Sequence, residues 1–131
     1  MVRDWLAHAN VTVRPVIDLN QIAPVDAYEV PTRIAEAVRL RSPVDCFPYA
    51  TSTRRGLDLD HTQPYRQPDD GGPPGQTRQD NLASLTRTHH RVKTHGHWQV
   101  RQVYDGVLVW RSPHGAHYLV DHTGTTRAHA A

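Results

Sequence analysis

The feature that most constrains the fold is an Asp-Gly pair between two segments rich in branched and aromatic residues. Asp105-Gly106 separates residues 98–103 from residues 107–110. An Asp-Gly turn between alternating apolar segments is a strong signal for a β-hairpin. A second turn at residues 113–115 leads into residues 116–120, so the sequence predicts a three-stranded antiparallel meander.

Two regular elements are predicted earlier in the chain. Pro31 suits a first helical position, and the apolar residues that follow it at helical spacing predict a short amphipathic helix that ends before Pro43. Residues 57–61 alternate at period two and predict a strand. This strand places Asp58 and Asp60 on one face.

A long loop and a second helix are predicted between that strand and the hairpin. Residues 62–80 are rich in Pro, Gly and Asp, which favour turns. Asp80 or Asn81 is a suitable N-cap, and residues 82–93 carry apolar side chains at helical spacing. The sequence therefore predicts a helix over residues 82–93, with Gly96 as its left-handed cap.

Composition favours a single domain with many loops. The chain has 131 residues, of which 37% are hydrophobic, with 10 Pro and 8 Gly. No apolar run approaches the ~18 residues of a membrane span, and residues 1–5 lack the apolar segment of a secretory signal. A soluble, cytoplasmic protein is expected. Cys46 is the single cysteine, so it cannot form an internal disulfide and is expected to be a buried structural thiol.

Charge is distributed unevenly along the chain. The net charge is +2, but residues 81–104 contain no acidic side chain. The same stretch contains four histidines and four cations, namely Arg87, Arg91, Lys93 and Arg101. Such a patch fits either a polyanion such as DNA or an ordinary solvated helix face. Charge alone leaves both interpretations open.

Four polar residues form the candidate site: Asp60, His61, Asn81 and His90. The first two end the predicted strand, Asn81 opens the predicted second helix, and His90 lies on that helix. One carboxylate and two imidazoles brought together can hold one divalent metal ion and place a general base beside it. A divalent metal ion and a general base are the minimum that hydrolysis of a phosphodiester bond requires.

These residues resemble the motif of the HNH endonuclease superfamily. The shared elements are Asp60-His61 with Pro64, then Asn81-Leu82, then His89-His90 with Lys93. The wider stretch 30–123 is similar to the C-terminal module of actinobacterial repeat-family HNH proteins. The sequence segments that carry this wider resemblance include Phe47-Pro48-Tyr49, Gly75-Gln76-Thr77 and Lys93-Thr94-His95-Gly96.

The resemblance implies a fold class and a division of the chain. The expected fold is α+β, with a ββα-metal (HNH, His-Me finger) core, an N-terminal helix and a C-terminal antiparallel β-meander. Residues 1–29 are expected to be an N-terminal arm or the remnant of a longer chain. Residues 30–123 are expected to be the HNH nuclease-like domain, and residues 124–131 a flexible tail.

The resemblance also implies a role for each residue of the motif. Asp60 and His90 are the expected ligands of one divalent metal ion, which remains open as Mg²⁺, Mn²⁺ or Zn²⁺. His61 is the expected general base, and Asn81 is expected to tie the loop and orient the site through hydrogen bonds. Five cations are expected to contact the phosphate backbone of DNA: Arg54, Arg55, Arg87, Arg91 and Lys93.

The sequence departs from many relatives at a structural zinc site. Where those relatives carry cysteine pairs, this chain has Asp45, Ala50 and Thr86, which leaves His89 as the only potential zinc ligand. The structural zinc is therefore expected to be absent. Packing is expected to replace it, through the side chains of Phe47, Tyr49, Leu85 and Trp98.

The predicted function is that of a metal-dependent endonuclease, which hydrolyses DNA phosphodiester bonds and leaves a 5′-phosphate and a 3′-hydroxyl. One alternative is a catalytically inactive HNH-fold module or fragment that binds DNA. Another is a structural or interaction domain whose histidines bind metal only incidentally. No membrane partner is expected, and the sequence does not indicate an oligomeric state.

Overall fold

A computed structural model describes residues 22–129 of the chain, so most of the predicted N-terminal arm lies outside the described residues. The described part contains two α-helices, α1 (Thr32–Arg41) and α2 (Arg87–His95). Neither of them is long and apolar enough to cross a membrane. The strands are β1 (Asp58–His61), β2 (Leu82–Leu85), β3 (Gln99–Tyr104), β4 (Val107–Arg111), β5 (His117–Asp121) and β6 (Gly124–Ala128).

The strands form two antiparallel sheets. β1 and β2 make a two-stranded sheet, in a register that sets Asp60 opposite Ala83 and His61 opposite Leu82. The other sheet is a meander in which β3, β4, β5 and β6 are neighbours in chain order. Thr86 alone separates β2 from α2, and this helix packs against both β1 and β2. One face of the two-stranded sheet is therefore turned toward α2.

The fold class predicted from the sequence is wrong. The described residues are mostly β, with six strands in two sheets beside two helices, and no helix precedes α1 within residues 22–31. The expected ββα-metal core is not shown, because residues 22–129 contain no group of three or more His, Cys, Asp or Glu placed to hold a metal ion. The prediction relied on a resemblance in sequence over residues 30–123, whereas the pairing of six strands into two sheets decides the class.

The second predicted helix begins later than expected. Leu82–Leu85 form β2, and all four residues are buried. Leu82 and Leu85 have the spacing of a helix face, but a strand covered on both sides also carries apolar residues without alternation. The helix instead begins behind Thr86, whose hydroxyl accepts a hydrogen bond from the His89 N–H at 3.2 Å.

The meander contains the predicted hairpin and one strand more. β3 and β4 are joined at Asp105-Gly106, where Gly106 has a φ of 79°, so the predicted hairpin is confirmed. Gly124–Ala128, predicted as part of a flexible tail, forms β6 and pairs with β5. The predicted left-handed cap is wrong as well, because Gly96 has a φ of −94° and the following His97 has a φ of 59°.

Two hydrophobic clusters meet at β2 and hold it from both sides. Leu82 packs against α1 in one cluster. Ala83 and Leu85 belong to the other, which contains the inner face of the meander and its largest buried side chain, Trp110. Cys46 is buried in this second cluster, as predicted, and burial raises the pKa of its thiol. Because β2 is fixed in this way, the strand paired with it, β1, is fixed as well.

Candidate functional site

The face of β1 that points toward α2 carries two carboxylates on either side of one imidazole. Alternation along the strand puts Asp58 and Asp60 on this face. Nδ1 of His90, on α2, lies 3.3 Å from Asp58 Oδ2, and Nε2 of the same ring lies 3.2 Å from Asp60 Oδ1. The structure therefore brings together the two residues predicted as metal ligands, Asp60 and His90.

Lys93 extends from α2 to the end of β1 rather than into solvent. Its side chain is 11% exposed, and its ammonium group donates to Asp60 Oδ2 and, at 2.8 Å, to the carbonyl oxygen of His61. Because Lys93 engages Oδ2 of Asp60, Oδ1 is the oxygen that faces His90. Lys93 was predicted to contact DNA phosphates, but its position suits it to orienting Asp60.

His61 points to the other side of β1. It is buried, and its ring lies beside those of Tyr28 and Tyr65 at centroid distances of 5.7 and 5.6 Å. Nε2 lies 2.8 Å from the hydroxyl of Thr77, which itself donates to the carbonyl of Ala27 at 2.5 Å. Since that hydroxyl proton is already used, Thr77 accepts from Nε2–H. The lone pair of the neutral imidazole is then on Nδ1.

His61 is favoured in its neutral form. Burial lowers the pKa of its imidazole from the usual 6.5; the Asp60 carboxylate acts in the opposite direction, and the Lys93 charge adds to the lowering. The neutral ring is the form that can accept a proton. Because the charges of Asp60 and Lys93 act on this ring, His61 and the carboxylate face share one electrostatic environment at the end of β1.

Asn81 joins the two ends of the loop between β1 and β2. It is buried in the short 3₁₀ turn Gln79–Asn81. Its Oδ1 accepts hydrogen bonds from the Thr62 hydroxyl and the Gln63 N–H, both at 2.9 Å. Its Nδ2 donates to the Gln76 carbonyl, also at 2.9 Å. The side chain therefore holds the start of the loop, directly after His61, against the segment that contains Thr77.

An open cleft of about 340 Å³ borders the carboxylate face. Of the cations predicted to contact DNA, Arg87 and Arg91 line this cleft, and the Arg87 side chain is 73% exposed. Arg54 and Arg55 are exposed in the loop before β1 and are not part of its lining. The full set of lining residues is Asp58, Arg87, His90, Arg91, Thr94 and His95.

A second carboxylate–imidazole pair lies at the start of α2. Asp45 Oδ2 is 2.5 Å from Nδ1 of His89, and the Asp45 side chain is fully buried. The same carboxylate accepts the backbone N–H groups of Phe47 at 2.9 Å and Thr86 at 3.1 Å. This pair therefore ties the loop after α1 to the N-terminus of α2.

The packing around the Asp45–His89 pair partly matches the packing that was predicted to replace the structural zinc. The ring of His89 stacks on Phe47 at a centroid distance of 4.3 Å, and Phe47 and Trp98 pack against the buried cluster that contains Leu85. Tyr49 was expected to take part, but it is 65% exposed. The stacked imidazole and the buried carboxylate, rather than Tyr49, complete the packing at this end of α2.

Sequence reasoning missed two residues that contact the site. Asp58 holds His90, and the alternation that groups it with Asp60 was a usable signal, because a ring reached by one carboxylate is near the other. Thr77 holds His61 from a position 16 residues along the chain, inside the long loop. No local pattern marks Thr77, since its role depends on how that loop folds back.

Asp60 Oδ1 and His90 Nε2 suit a shared divalent ion. Two ligand atoms that lie ~2.1 Å from one ion, at right angles to each other, are ~3.0 Å apart, which is close to the 3.2 Å between these two atoms. Thr94, one turn beyond His90 on α2, donates to the His90 carbonyl at 3.0 Å. Within residues 22–129 no third His, Cys, Asp or Glu completes such a group, so oxygens of water or substrate would be needed.

The chain is similar to segments of three much longer proteins of Mycobacterium tuberculosis. It is 36% identical to the uncharacterized protein Rv3776 of strain H37Rv over 92 residues, which cover 70% of this chain and 16% of that protein. It is 30% identical over 121 residues to the uncharacterized proteins Rv2100 of H37Rv and MT2160 of CDC 1551, covering 92% of this chain and 20% of each. The chain thus spans at most about a fifth of these relatives. No family model matches it, and no solved structure matches it significantly.

Proposed function

We propose that this protein is a metal-dependent endonuclease of the HNH superfamily that hydrolyses DNA phosphodiester bonds in the cytoplasm. The observation that carries the proposal is the 3.2 Å approach of Asp60 Oδ1 to His90 Nε2 beside a cleft that also contains Arg87 and Arg91. The Asp60–His90 pair suits one divalent ion, and the guanidinium groups of Arg87 and Arg91 suit phosphates. Together they match the needs of a phosphodiester substrate.

Asp60 and His90 would hold one Mg²⁺, Mn²⁺ or Zn²⁺ ion. When bound, such an ion supplies positive charge beside the scissile phosphate and the departing 3′ oxygen. Asp60 presents Oδ1 to this position because Lys93 engages its other oxygen. With two side chains committed, most coordination positions remain for oxygens of DNA and water.

His61 would act as the general base. Its neutral ring carries the lone pair on Nδ1, because Nε2 donates to Thr77. Nδ1 would take a proton from a water molecule that attacks at the end of β1, where the strand stops at His61, and the Asp60 carboxylate would favour the resulting imidazolium. Asn81 fastens the loop that contains Thr77, so the base is held in one orientation.

Arg87 and Arg91 would bind phosphates that flank the scissile bond. Four residues apart on α2, they occupy neighbouring positions on one side of the helix, and both line the cleft. Contacts to phosphates position DNA without reading its sequence. The proposed nuclease is therefore expected to have little sequence preference from this helix.

A DNA-binding module without catalytic turnover is the second candidate. One observation favours it: both oxygens of Asp60 are engaged by side chains of α2, Oδ1 by His90 and Oδ2 by Lys93. In this arrangement side chains of the protein alone occupy both oxygens, without a metal ion. The two candidates differ in whether a divalent ion changes what the protein does to DNA.

Nicking of supercoiled plasmid DNA tests the proposal. The wild-type protein should convert supercoiled plasmid to open circles with Mg²⁺ or Mn²⁺ and should be inactive in EDTA. His90→Ala should abolish nicking, because it removes one of the two ligands. His114→Ala, a matched change at an exposed turn of the meander, should leave nicking unchanged.

The same assay separates the candidates. Equal nicking by the wild type and His90→Ala would reveal a contaminating nuclease and would contradict the proposal. A mobility shift of DNA without any nicking, in the presence of Mg²⁺ or Mn²⁺, would favour the DNA-binding module.

A further inference from the structure

We infer that Asp58 is a positioning residue that fixes the ring of His90 so that Nε2, and not Nδ1, is the atom offered to a metal ion. This inference rests on the proposed function, since it concerns the same ion. The inference comes from a contact that the proposed function does not use. Asp58 Oδ2 lies 3.3 Å from His90 Nδ1, on the side of the ring away from Asp60.

Asp58 determines which ring nitrogen of neutral His90 carries the proton. A neutral imidazole has one N–H donor and one acceptor nitrogen, and a carboxylate can only accept. Asp60 alone would draw the proton onto Nε2, where it would block the metal. Asp58 offers a competing acceptor at Nδ1, so the proton can remain there and leave the Nε2 lone pair directed at Asp60 Oδ1.

The strand holds Asp58 in the position that this role requires. Asp58 and Asp60 lie two residues apart on β1, opposite Leu85 and Ala83 of β2, and both of those partners are buried. Arg87 lies 3.5 Å from Asp58 Oδ1 and leaves Oδ2 to His90. Both proposed ligands therefore have an outer partner, Asp58 for His90 and Lys93 for Asp60.

Mn²⁺ binding measured by calorimetry tests the inference without reference to activity. Asp58→Ala should weaken Mn²⁺ binding by about 10–100-fold, the usual effect of removing an outer carboxylate from a ligand histidine. Asp58→Asn keeps an oxygen that accepts from Nδ1–H and should recover most of the loss. Asp69→Ala removes one exposed carboxylate from the loop and controls for net charge, so its Mn²⁺ affinity should equal that of the wild type.

A spectroscopic readout separates positioning from folding. Long-range ¹H–¹⁵N spectra of the Zn²⁺-loaded protein should show the His90 proton on Nδ1 in the wild type and in Asp58→Asn. In Asp58→Ala that assignment should be lost, while the thermal unfolding midpoint shows that the variant is folded.

Two results would overturn the inference, and they are distinguishable from each other. If wild type and Asp58→Ala bind Mn²⁺ equally well, Asp58 has no positioning role, and the proposed function stands. If the wild type binds no Mn²⁺ at all, the proposed function fails, and the inference fails with it.

Discussion

Replacing His61 with alanine is expected to reduce metal-dependent nicking by about 10²–10⁴-fold, the usual contribution of a general base. The expectation follows from the neutral, buried ring, whose Nε2 is committed to Thr77 and whose Nδ1 carries the lone pair. Mn²⁺ binding should be unchanged, because Asp60 points away from His61 on the other face of β1, where it meets His90 of α2. Plasmid nicking and calorimetry on the same preparations provide the measurement.

The alanine variant leaves a space beside Tyr28 and Tyr65, which offers a control. Added imidazole should restore part of the activity of His61→Ala and should not affect His90→Ala. Full activity of His61→Ala in a preparation free of contaminating nuclease would show that another group takes the proton.

The dependence of the wild-type rate on pH provides a further check on the same residue. His61 works as a base only when neutral, and burial lowers its pKa below 6.5. The neutral form therefore persists to lower pH, and the midpoint of the acidic limb of the pH–rate profile should lie below pH 6.5. A fall centred above pH 6.5 would contradict the assignment.

Replacing Asp45 with alanine is expected to lower the free energy of unfolding by about 3 kcal/mol or more, because each donor that loses its buried acceptor costs about 1–3 kcal/mol. The Asp45 carboxylate is fully buried and accepts from His89 and from the backbone N–H groups of Phe47 and Thr86. Its removal leaves these donors without their acceptor and releases the N-terminus of α2 from the preceding loop. Urea unfolding followed by circular dichroism measures the loss.

Matched variants define how the Asp45 result is interpreted. Asp45→Asn keeps one acceptor oxygen and should lose less stability than Asp45→Ala, and Asp69→Ala should lose almost none because that carboxylate is exposed. A loss below about 1 kcal/mol for Asp45→Ala, typical of a surface ion pair, would contradict the structural role given to this carboxylate.

Patterns within a few residues predicted part of the fold correctly. The hairpin at Asp105-Gly106 follows from turn chemistry that needs no knowledge of distant contacts. β2 was missed because Leu82 and Leu85 also satisfy a helical spacing, and burial on both faces is a property of the tertiary structure. β6 was missed because Gly124–Ala128 has few apolar side chains, and its strand conformation depends on pairing with β5.

Local sequence patterns also placed only some of the residues of the candidate site. Asp60 and His90 meet, as the sequence motif requires, since β1 and α2 pack together. Lys93 could not be placed from its charge, because a lysine on a helix is equally consistent with solvent, DNA or a neighbouring carboxylate. Thr77 and Asp45 act through contacts that span 16 and 44 residues, which no local spacing encodes.

The central claim is that Asp60 and His90 share one divalent ion, and crystals grown with Mn²⁺ test it most directly through the anomalous scattering of the metal. The account predicts an anomalous peak within coordination distance of both Asp60 Oδ1 and His90 Nε2, with Lys93 still on Asp60 Oδ2 and Asp58 still on His90 Nδ1. Mn²⁺ found only elsewhere, with Asp60 Oδ1 and His90 Nε2 in direct contact, would contradict it.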